Sequence, residues 1–169
     1  MDRESSATYV EPSPEVSVKN TKKLIDYIRS LSTLPTSSPL VTPIITPRFA
    51  ISCTDALLKS LGELVSSDPT LPIQTHISEN RFEITKTLEL FPAAPHYARV
   101  YDMFGLLRHN TILAHACHFS EDKIELVKRR GAGISHCPTS NFNIRPLLVS
   151  ISIRASRCVI LEYPHSPPC

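Results

Sequence analysis

The fold of this chain is indicated most clearly by one stretch, LPIQTHISEN, which runs from Leu71 to Asn80. An apolar segment of strand-like composition ends there in His76 and then Glu79. A second such segment, TILAHACH, begins at Thr111 and brings His115 to its end. Two imidazoles and a carboxylate at strand ends are the components of a metal site with a neighbouring proton shuttle. Because neither segment has the helical His-Glu-x-x-His pattern, the prediction requires the two strands to be neighbours in space.

Strand-like and helix-like segments alternate around these two motifs. Strands are predicted at 40–49, 71–77, 111–116 and 131–137, although two prolines make the first of them a poor central strand. Helices are predicted after a cap at Ser13, after a capping box formed by Ser52 and Asp55, over 81–91, around 98–107, and from Ser120 to Gly131. This alternation predicts a parallel sheet covered by helices. Right-handed crossovers place every strand's C-terminal end on one side, where His76, His115 and His136 fall.

Composition and charge exclude several classes of protein. The chain has 169 residues, 41% of them hydrophobic, which suits a globular core. A formal charge of +2 does not predict a nucleic-acid surface or a polybasic membrane surface. There is no apolar run of membrane-spanning length and no signal peptide, so we expect a cytoplasmic protein without membrane or nucleic-acid partners. The five cysteines have no close CxxC pair, which indicates reduced thiols.

Four short motifs give the chain a family resemblance. TPRF at Thr46 to Phe49, THISEN at Thr75 to Asn80, AHAC at Ala114 to Cys117 and HCPTSN at His136 to Asn141 resemble the guanine deaminases, a zinc-dependent family of the amidohydrolase superfamily. The resemblance covers residues 1–143, with the motifs in the family's order. It implies a partial (β/α)8 barrel of the TIM type, roughly strands four to seven with their helices, with the active site at the C-terminal ends of the strands.

The resemblance also implies a role for each residue of the two strand ends. His76 and His115 match the family's zinc ligands after the fifth and sixth strands. Glu79 matches the acid/base, which is not itself a ligand. A bound zinc lowers the pKa of a water molecule to about 7. A carboxylate within hydrogen-bond reach then moves protons to the purine ring and to the leaving ammonia.

Further motif residues match the walls of the family's pocket. Arg48 would donate hydrogen bonds to the purine carbonyl, and Phe49 would pack against the purine face. His136 and Asn141 would line the pocket without binding the metal. The residues themselves leave a structural alternative open for Arg48, which could simply pair with a surface acid. Glu79 could likewise be a first-turn carboxylate of the following helix.

Two departures from the family pattern predict that the chain is a fragment. The family takes two more zinc ligands from a His-x-His pair and a final aspartate from a Gly-Thr-Asp-like segment, and this sequence contains neither. A complete barrel of this kind has about 250 residues. We therefore predict a partial amidohydrolase barrel over residues 1–143 and a divergent C-terminal tail over 144–169, from a truncated or mispredicted gene product.

Three interpretations of function remain open from the sequence. A guanine deaminase would convert guanine and water to xanthine and ammonia in purine catabolism, with zinc as its cofactor, and the complete protein could be a homodimer. Related aminohydrolases that act on another purine, a pyrimidine or a triazine also carry His-x-x-Glu after the fifth strand. A non-catalytic remnant would at most bind a partner chain or a metal through His76 and His115.

Overall fold

A sheet of four parallel strands forms the centre of the molecule. The computed structural model describes residues 1–31, 40–143 and 158–160. The strands are β1 (Ile73–Ile77), β2 (Thr111–His115), β3 (Gly133–His136) and β4 (Cys158–Ile160). They lie side by side in chain order, and each pairs with the next in parallel. Sequential order is typical of a (β/α)8 barrel, whereas the strand order of a doubly wound sheet reverses. The predicted partial barrel is therefore confirmed.

Helices connect and cover these strands much as predicted. Their bounds are α1 (Pro14–Ser30), α2 (Asp55–Ser67), α3 (Arg81–Leu90), α4 (Tyr97–Met103), α5 (Glu121–Arg130) and α6 (Pro138–Asn143). The Ser13 hydroxyl caps α1 by accepting from the Val16 amide at 3.3 Å. Gly131 ends α5 in the left-handed conformation, with φ 71°. The sequence analysis did not predict α6, which follows β3 directly.

The predicted capping box at Ser52 is wrong. The cap of α2 is Thr54, whose hydroxyl oxygen accepts from the Leu57 amide at 3.2 Å. Ser52 instead ends a short 3-10 helix, Ala50–Ser52, and donates its hydroxyl to the Phe49 carbonyl at 3.0 Å. The extra turn delays the start of α2, because Ser and Thr hydroxyls cap whichever turn the backbone presents.

The first predicted strand, at 40–49, is a single bridge at the sheet's edge rather than a full strand. Ile45 bridges Ile73 in parallel; its amide donates to the Pro72 carbonyl at 2.9 Å, and its carbonyl accepts from the Gln74 amide at 2.9 Å. The next ladder donor would be Pro47, which has no N–H. The His76 amide consequently bonds the Arg48 carbonyl, one residue out of register, at 3.0 Å. Pro47 thus limits this segment to a single bridge, while the Arg48 carbonyl remains hydrogen-bonded to β1.

The core lies between one face of the sheet and the helices. Residues 73, 75 and 77 of β1 are buried against leucines of α2 and tyrosines of α4, as are 111 and 113 of β2. The other face bears Gln74 and Ile112, which are exposed. In a barrel this open face is the interior. No helix in the described ranges has the length and apolar character needed to cross a membrane.

The last strand falls in the predicted divergent tail. Cys158 pairs with Ile134, and Ile160 pairs with His136. The remaining residues of the tail, 144–157 and 161–169, lie outside the described part of the chain. The division of the chain at residue 143 stays a prediction.

Candidate active site

Unusual backbone conformations mark the C-terminal ends of the two central strands. Ser78 has φ 50°, His115 has φ 73° and Ala116 has φ 53°, so three non-glycine residues are left-handed within one small region. Each such residue costs about 1–3 kcal/mol and persists only where its surroundings hold it. Left-handed non-glycine residues are concentrated at functional sites, so the neighbouring side chains are candidates for a functional site.

His76 and His115 stack on each other across β1 and β2. Their ring centroids are 5.2 Å apart with an interplanar angle of 20°. Strict alternation would place His115 on the buried face with Leu113, since His115 is in register with buried Ile77. Its left-handed backbone ends the alternation and allows the ring to meet His76. The two predicted ligands therefore lie together.

Both imidazoles are held through Nδ1, and within the described residues neither Nε2 makes a hydrogen bond. His76 Nδ1 lies 2.5 Å from the Arg48 carbonyl oxygen, and His115 Nδ1 lies 2.8 Å from Asn141 Oδ1. Because these oxygens only accept, each Nδ1 donates the hydrogen bond, and the lone pair of a neutral imidazole is then on Nε2. Metal-binding histidines are commonly oriented in this way. The pair thus fits two nitrogen positions of a zinc shell.

A complete metal shell is not formed by the described residues. Among them, no group of three His, Cys, Asp or Glu side chains is placed to hold a metal ion. A catalytic zinc site usually has three protein ligands. His76 and His115 therefore account for part of such a shell.

Glu79 faces His115 from the end of β1. Its Oε1 lies 3.4 Å from His115 Nδ1 and accepts a hydrogen bond from the Ser140 hydroxyl at 3.1 Å. The side chain is 18% exposed, so it is sheltered but reachable. The following helix begins at Arg81 with Asn80 as its cap. Glu79 lies before the cap, so it is not the first-turn carboxylate of the alternative interpretation.

A second carboxyl group, that of Glu83, contacts the backbone of Glu79. The side chain of Glu83 is on α3 and is buried, and its Oε2 accepts from the Glu79 amide at 2.7 Å. Burial is the main cause that raises the pKa of Glu83 above the usual carboxyl value. The site therefore combines a solvent-reachable carboxyl with a buried one.

Arg48 and Phe49 border the histidine pair. The Arg48 guanidinium lies 5.1 Å from the centre of the Phe49 ring, and Phe49 meets the His76 ring edge-on at 6.4 Å. None of the ion pairs found in the described ranges includes Arg48, which disfavours the surface-pair alternative. A guanidinium and an aromatic ring beside two imidazoles suit a planar, polar ligand.

The N-terminal residues hold the loop that follows Phe49. The Asp2 carboxylate accepts from the Thr54 amide at 2.8 Å and from its hydroxyl at 2.5 Å. Arg3 donates to the carbonyls of Cys53 at 2.6 Å and Ile51 at 3.1 Å. These contacts between distant parts of the chain fix the backbone on one side of Arg48 and Phe49.

Asn141 contacts both His115 and His136 and so connects His136 to the site. Its Oδ1 contacts His115, and its Nδ2 lies 3.2 Å from His136 Nδ1. Asn141 is buried, and α6 carries it together with Ser140. All seven residues that the sequence singled out therefore lie in one cluster at the C-terminal ends of the strands.

Sequence reasoning missed Ser140 and Glu83. Ser140 was within the HCPTSN motif, next to Asn141, and its hydroxyl was one of several groups there that could donate to a carboxylate. Asn80 and Glu83 have the spacing of a helix capping box, which was a signal for the helix start. Neither pattern indicates a contact with Glu79, because that contact depends on how β1 ends.

This fold and cluster define the class of protein. Residues 1–153 match the model of the Amidohydrolase family. Parallel strands in barrel order, with histidines and a carboxylate at their C-terminal ends, agree with that match. The chain belongs to the amidohydrolase family.

Individual relatives of this chain include guanine deaminases. The chain is 50% identical over 157 residues to a probable guanine deaminase of Schizosaccharomyces pombe, an alignment that covers 89% of this chain and 29% of that protein. The crystal structure of guanine deaminase from C. acetobutylicum with bound guanine superimposes with a TM-score of 0.76 and 39% identity, over 85% of this chain and 33% of that one.

A more distant structure shows the shared fold. An adenosine deaminase from Xanthomonas campestris with bound zinc has a TM-score of 0.65 and 22% identity, over 76% of this chain and 27% of that one. The chain spans about 30% of the length of the relatives that it matches.

Proposed function

We propose that this chain carries part of the active site of a zinc-dependent guanine deaminase, which converts guanine and water to xanthine and ammonia. The observation that supports it most strongly is the contact of Glu79 with His115, beside a second histidine that is likewise held through Nδ1. The similarity to guanine deaminases from several organisms points to the same reaction.

The residues have complementary roles in this reaction. His76 and His115 would hold zinc through Nε2, and the ion would supply a Lewis acid that makes a water molecule acidic near neutral pH. Glu79 accepts the two protons of the water molecule in turn, and it delivers the first to the ring nitrogen and the second to the leaving amine. The Ser140 hydroxyl bonds the Glu79 carboxylate and so keeps it directed at His115.

Guanine recognition is assigned to the neighbouring side chains. Arg48 donates to the purine carbonyl with a planar fork of N–H groups, and Phe49 covers one face of the ring. His136 and Asn141 line the opposite side and hold His115 through the Asn141 amide. A base that lacks a carbonyl acceptor leaves Arg48 unpaired, which favours guanine over adenine-type substrates.

One observation supports a second candidate, a non-catalytic remnant. The described residues offer two imidazoles and no third ligand within reach. A chain with this pair alone would bind a metal weakly and would not direct a water molecule at a purine. The cytoplasmic location and a homodimer of the complete protein likewise stay predictions.

A chimera tests the proposed activity directly. Residues 1–143 of this chain replace the matching segment of the C. acetobutylicum enzyme, and ammonia release from guanine is measured with zinc present. We expect turnover, and a fall of about 100-fold or more in Glu79→Gln, because the amide keeps the shape but cannot carry a proton. Zinc content should stay unchanged in this variant.

Three results would contradict the proposal. A folded, zinc-loaded chimera that releases no ammonia would favour the remnant. Turnover of a triazine or another purine in preference to guanine would favour a related aminohydrolase. Loss of zinc together with activity in Glu79→Gln would make Glu79 a ligand instead of the acid/base.

A further inference from the structure

Glu83 is a buried ionisable side chain that the proposed chemistry does not use. The residue is 5% exposed, and its Oε1 has no hydrogen-bond partner among the described residues. Its Oε2 accepts from the backbone amide of Glu79 at 2.7 Å. A carboxyl group in such surroundings destabilises the fold unless it serves a specific contact. The Glu79 amide is its hydrogen-bond partner, and the Tyr97 hydroxyl is also close enough to lower the pKa of the carboxyl.

The peptide unit between Ser78 and Glu79 is held at both of its polar atoms. The Ser78 carbonyl accepts from the His118 amide at 3.2 Å, and the Glu79 amide donates to Glu83. Ser78 is left-handed, with φ 50°, a conformation that a non-glycine residue leaves when nothing holds it. The two hydrogen bonds therefore maintain the turn that directs Glu79 away from the strand.

Helix capping alone does not account for the Glu83 contact. In a capping box the third helical residue returns its side chain to the amide of the cap residue. The cap of α3 is Asn80, whose Oδ1 accepts from the Glu83 amide at 2.8 Å. The Glu83 carboxyl instead bonds the amide of Glu79, which lies outside the helix. It thus holds the residue that faces His115.

We propose that Glu83 is a positioning residue, which clamps the Ser78–Glu79 peptide and thereby directs the Glu79 carboxylate at His115. This inference rests on the proposed function, since it matters for turnover only where Glu79 moves protons. Two contacts define the position of the Glu79 carboxylate: Oε1 is 3.4 Å from His115 Nδ1 and 3.1 Å from the Ser140 hydroxyl. A displacement of about 1 Å would break both contacts.

Hydrogen–deuterium exchange of the intact chain tests the clamp without relying on activity. Exchange is measured at the Glu79 amide by fragmentation that resolves single residues. In Glu83→Leu, which fills the space without an oxygen, protection of that amide should fall about tenfold, as for loss of a hydrogen bond. Glu83→Gln keeps an oxygen acceptor and should restore protection to within about threefold.

Two control variants separate positioning from general damage to α3. Thr87→Val changes the other buried polar side chain of this helix face, whose Oγ1 also has no partner among the described residues, and should leave Glu79 protected. Asn80→Ala removes the helix cap and should loosen the first turn of α3 more than the Glu79 amide. If Glu83→Leu does not fold, Glu83→Met gives the same comparison.

Equal protection of Glu79 in Glu83→Leu and in the unsubstituted chain would overturn the inference. The same would follow if Glu83→Gln and Thr87→Val lost as much protection as Glu83→Leu. These outcomes are independent of the chimera, in which failure of ammonia release would remove the proposed function and leave the clamp as a structural fact.

Discussion

Ser78, His115 and Ala116 adopt a backbone conformation that ordinarily favours glycine, and each lies beside a proposed active-site group. The conformation ends the in-and-out alternation of β1 and β2. Side chains that would otherwise be divided between two faces of the sheet meet at its edge. The site therefore depends on the left-handed backbone of these three residues as much as on the identity of its side chains.

Zinc uptake follows from the two imidazoles. We predict that the purified chain binds zinc, but weakly, because two nitrogen ligands are fewer than the three of a usual catalytic site. Zinc content after dialysis against a mild chelator measures this. His76→Ala and His115→Ala should each lower the content, whereas His109→Ala, which removes an exposed histidine outside the cluster, should not. Stoichiometric zinc that survives His76→Ala would refute the assignment.

Glu83 makes the stability of the fold depend on pH. Burial raises the pKa of its carboxyl above the ordinary value of 4.5, so the folded chain holds this proton more tightly than the unfolded chain. The stability that Glu83 contributes is complete below pH 4.5 and is lost as the pH rises through the raised value.

The comparison with Glu83→Gln isolates this effect, because glutamine does not ionise. We predict that the free energy of unfolding of Glu83→Gln, relative to the unsubstituted chain, increases between about pH 4 and pH 7. Denaturant titrations at several pH values measure it. A difference that does not change with pH would mean that Glu83 has the same pKa in both states.

At the element scale, α2 packs against the end of α4 through a glycine. A Cβ built on Gly62 would lie 1.9 Å from the Phe104 carbonyl oxygen, which belongs to the backbone and cannot turn away. Gly62→Ala should therefore lower the free energy of unfolding by about 3 kcal/mol or more, the upper end of overpacking effects.

A matched substitution on the same helix gives the control. Ser66 is exposed on α2, and Ser66→Ala should change stability by less than about 0.5 kcal/mol. Chemical denaturation of both variants measures the difference. A mild effect of Gly62→Ala would show that α2 can move away from Phe104 without loss of core packing.

For the whole molecule, the described surfaces predict self-association. No strand in the described ranges pairs with the outer side of β4 or of the Ile45 segment, and such edges bind other chains. Helix α1 also presents exposed apolar side chains, with Leu24 57% and Tyr27 62% exposed, and Leu31 at its C-terminal cap is 61% exposed. Large apolar patches of this kind are typical of surfaces that other protein covers.

We predict that the 169-residue chain is not a stable monomer and releases no measurable ammonia from guanine. Light scattering after size-exclusion chromatography measures the first property, and an ammonia assay with added zinc measures the second. The physical reason for the expected inactivity is that the described residues supply two metal ligands where a catalytic site usually has three. A monodisperse monomer with zinc-dependent release that disappears in Glu79→Gln would contradict both parts of the prediction.

The sequence by itself determined the order of elements and the composition of the site. Hydrophobic periodicity, caps and glycines are local signals, and they located β1, β2, β3 and the helices from α1 to α5 to within a few residues. Motifs singled out the residues that later proved to be neighbours, because parallel strands bring their C-terminal ends together whatever their loops do. Local sequence signals were therefore sufficient to predict these elements and the membership of the site.

The tertiary structure alone decided how those residues meet. The His115 ring stacks on His76 at the point where its backbone becomes left-handed. Thr54 replaces Ser52 as a cap because a 3-10 turn intervenes, and Pro47 limits the edge segment to one bridge. The contacts of Glu79 with Ser140 and with Glu83 join separate elements. Such contacts depend on the positions of several strand ends at once, and no local pattern in the sequence encodes that arrangement.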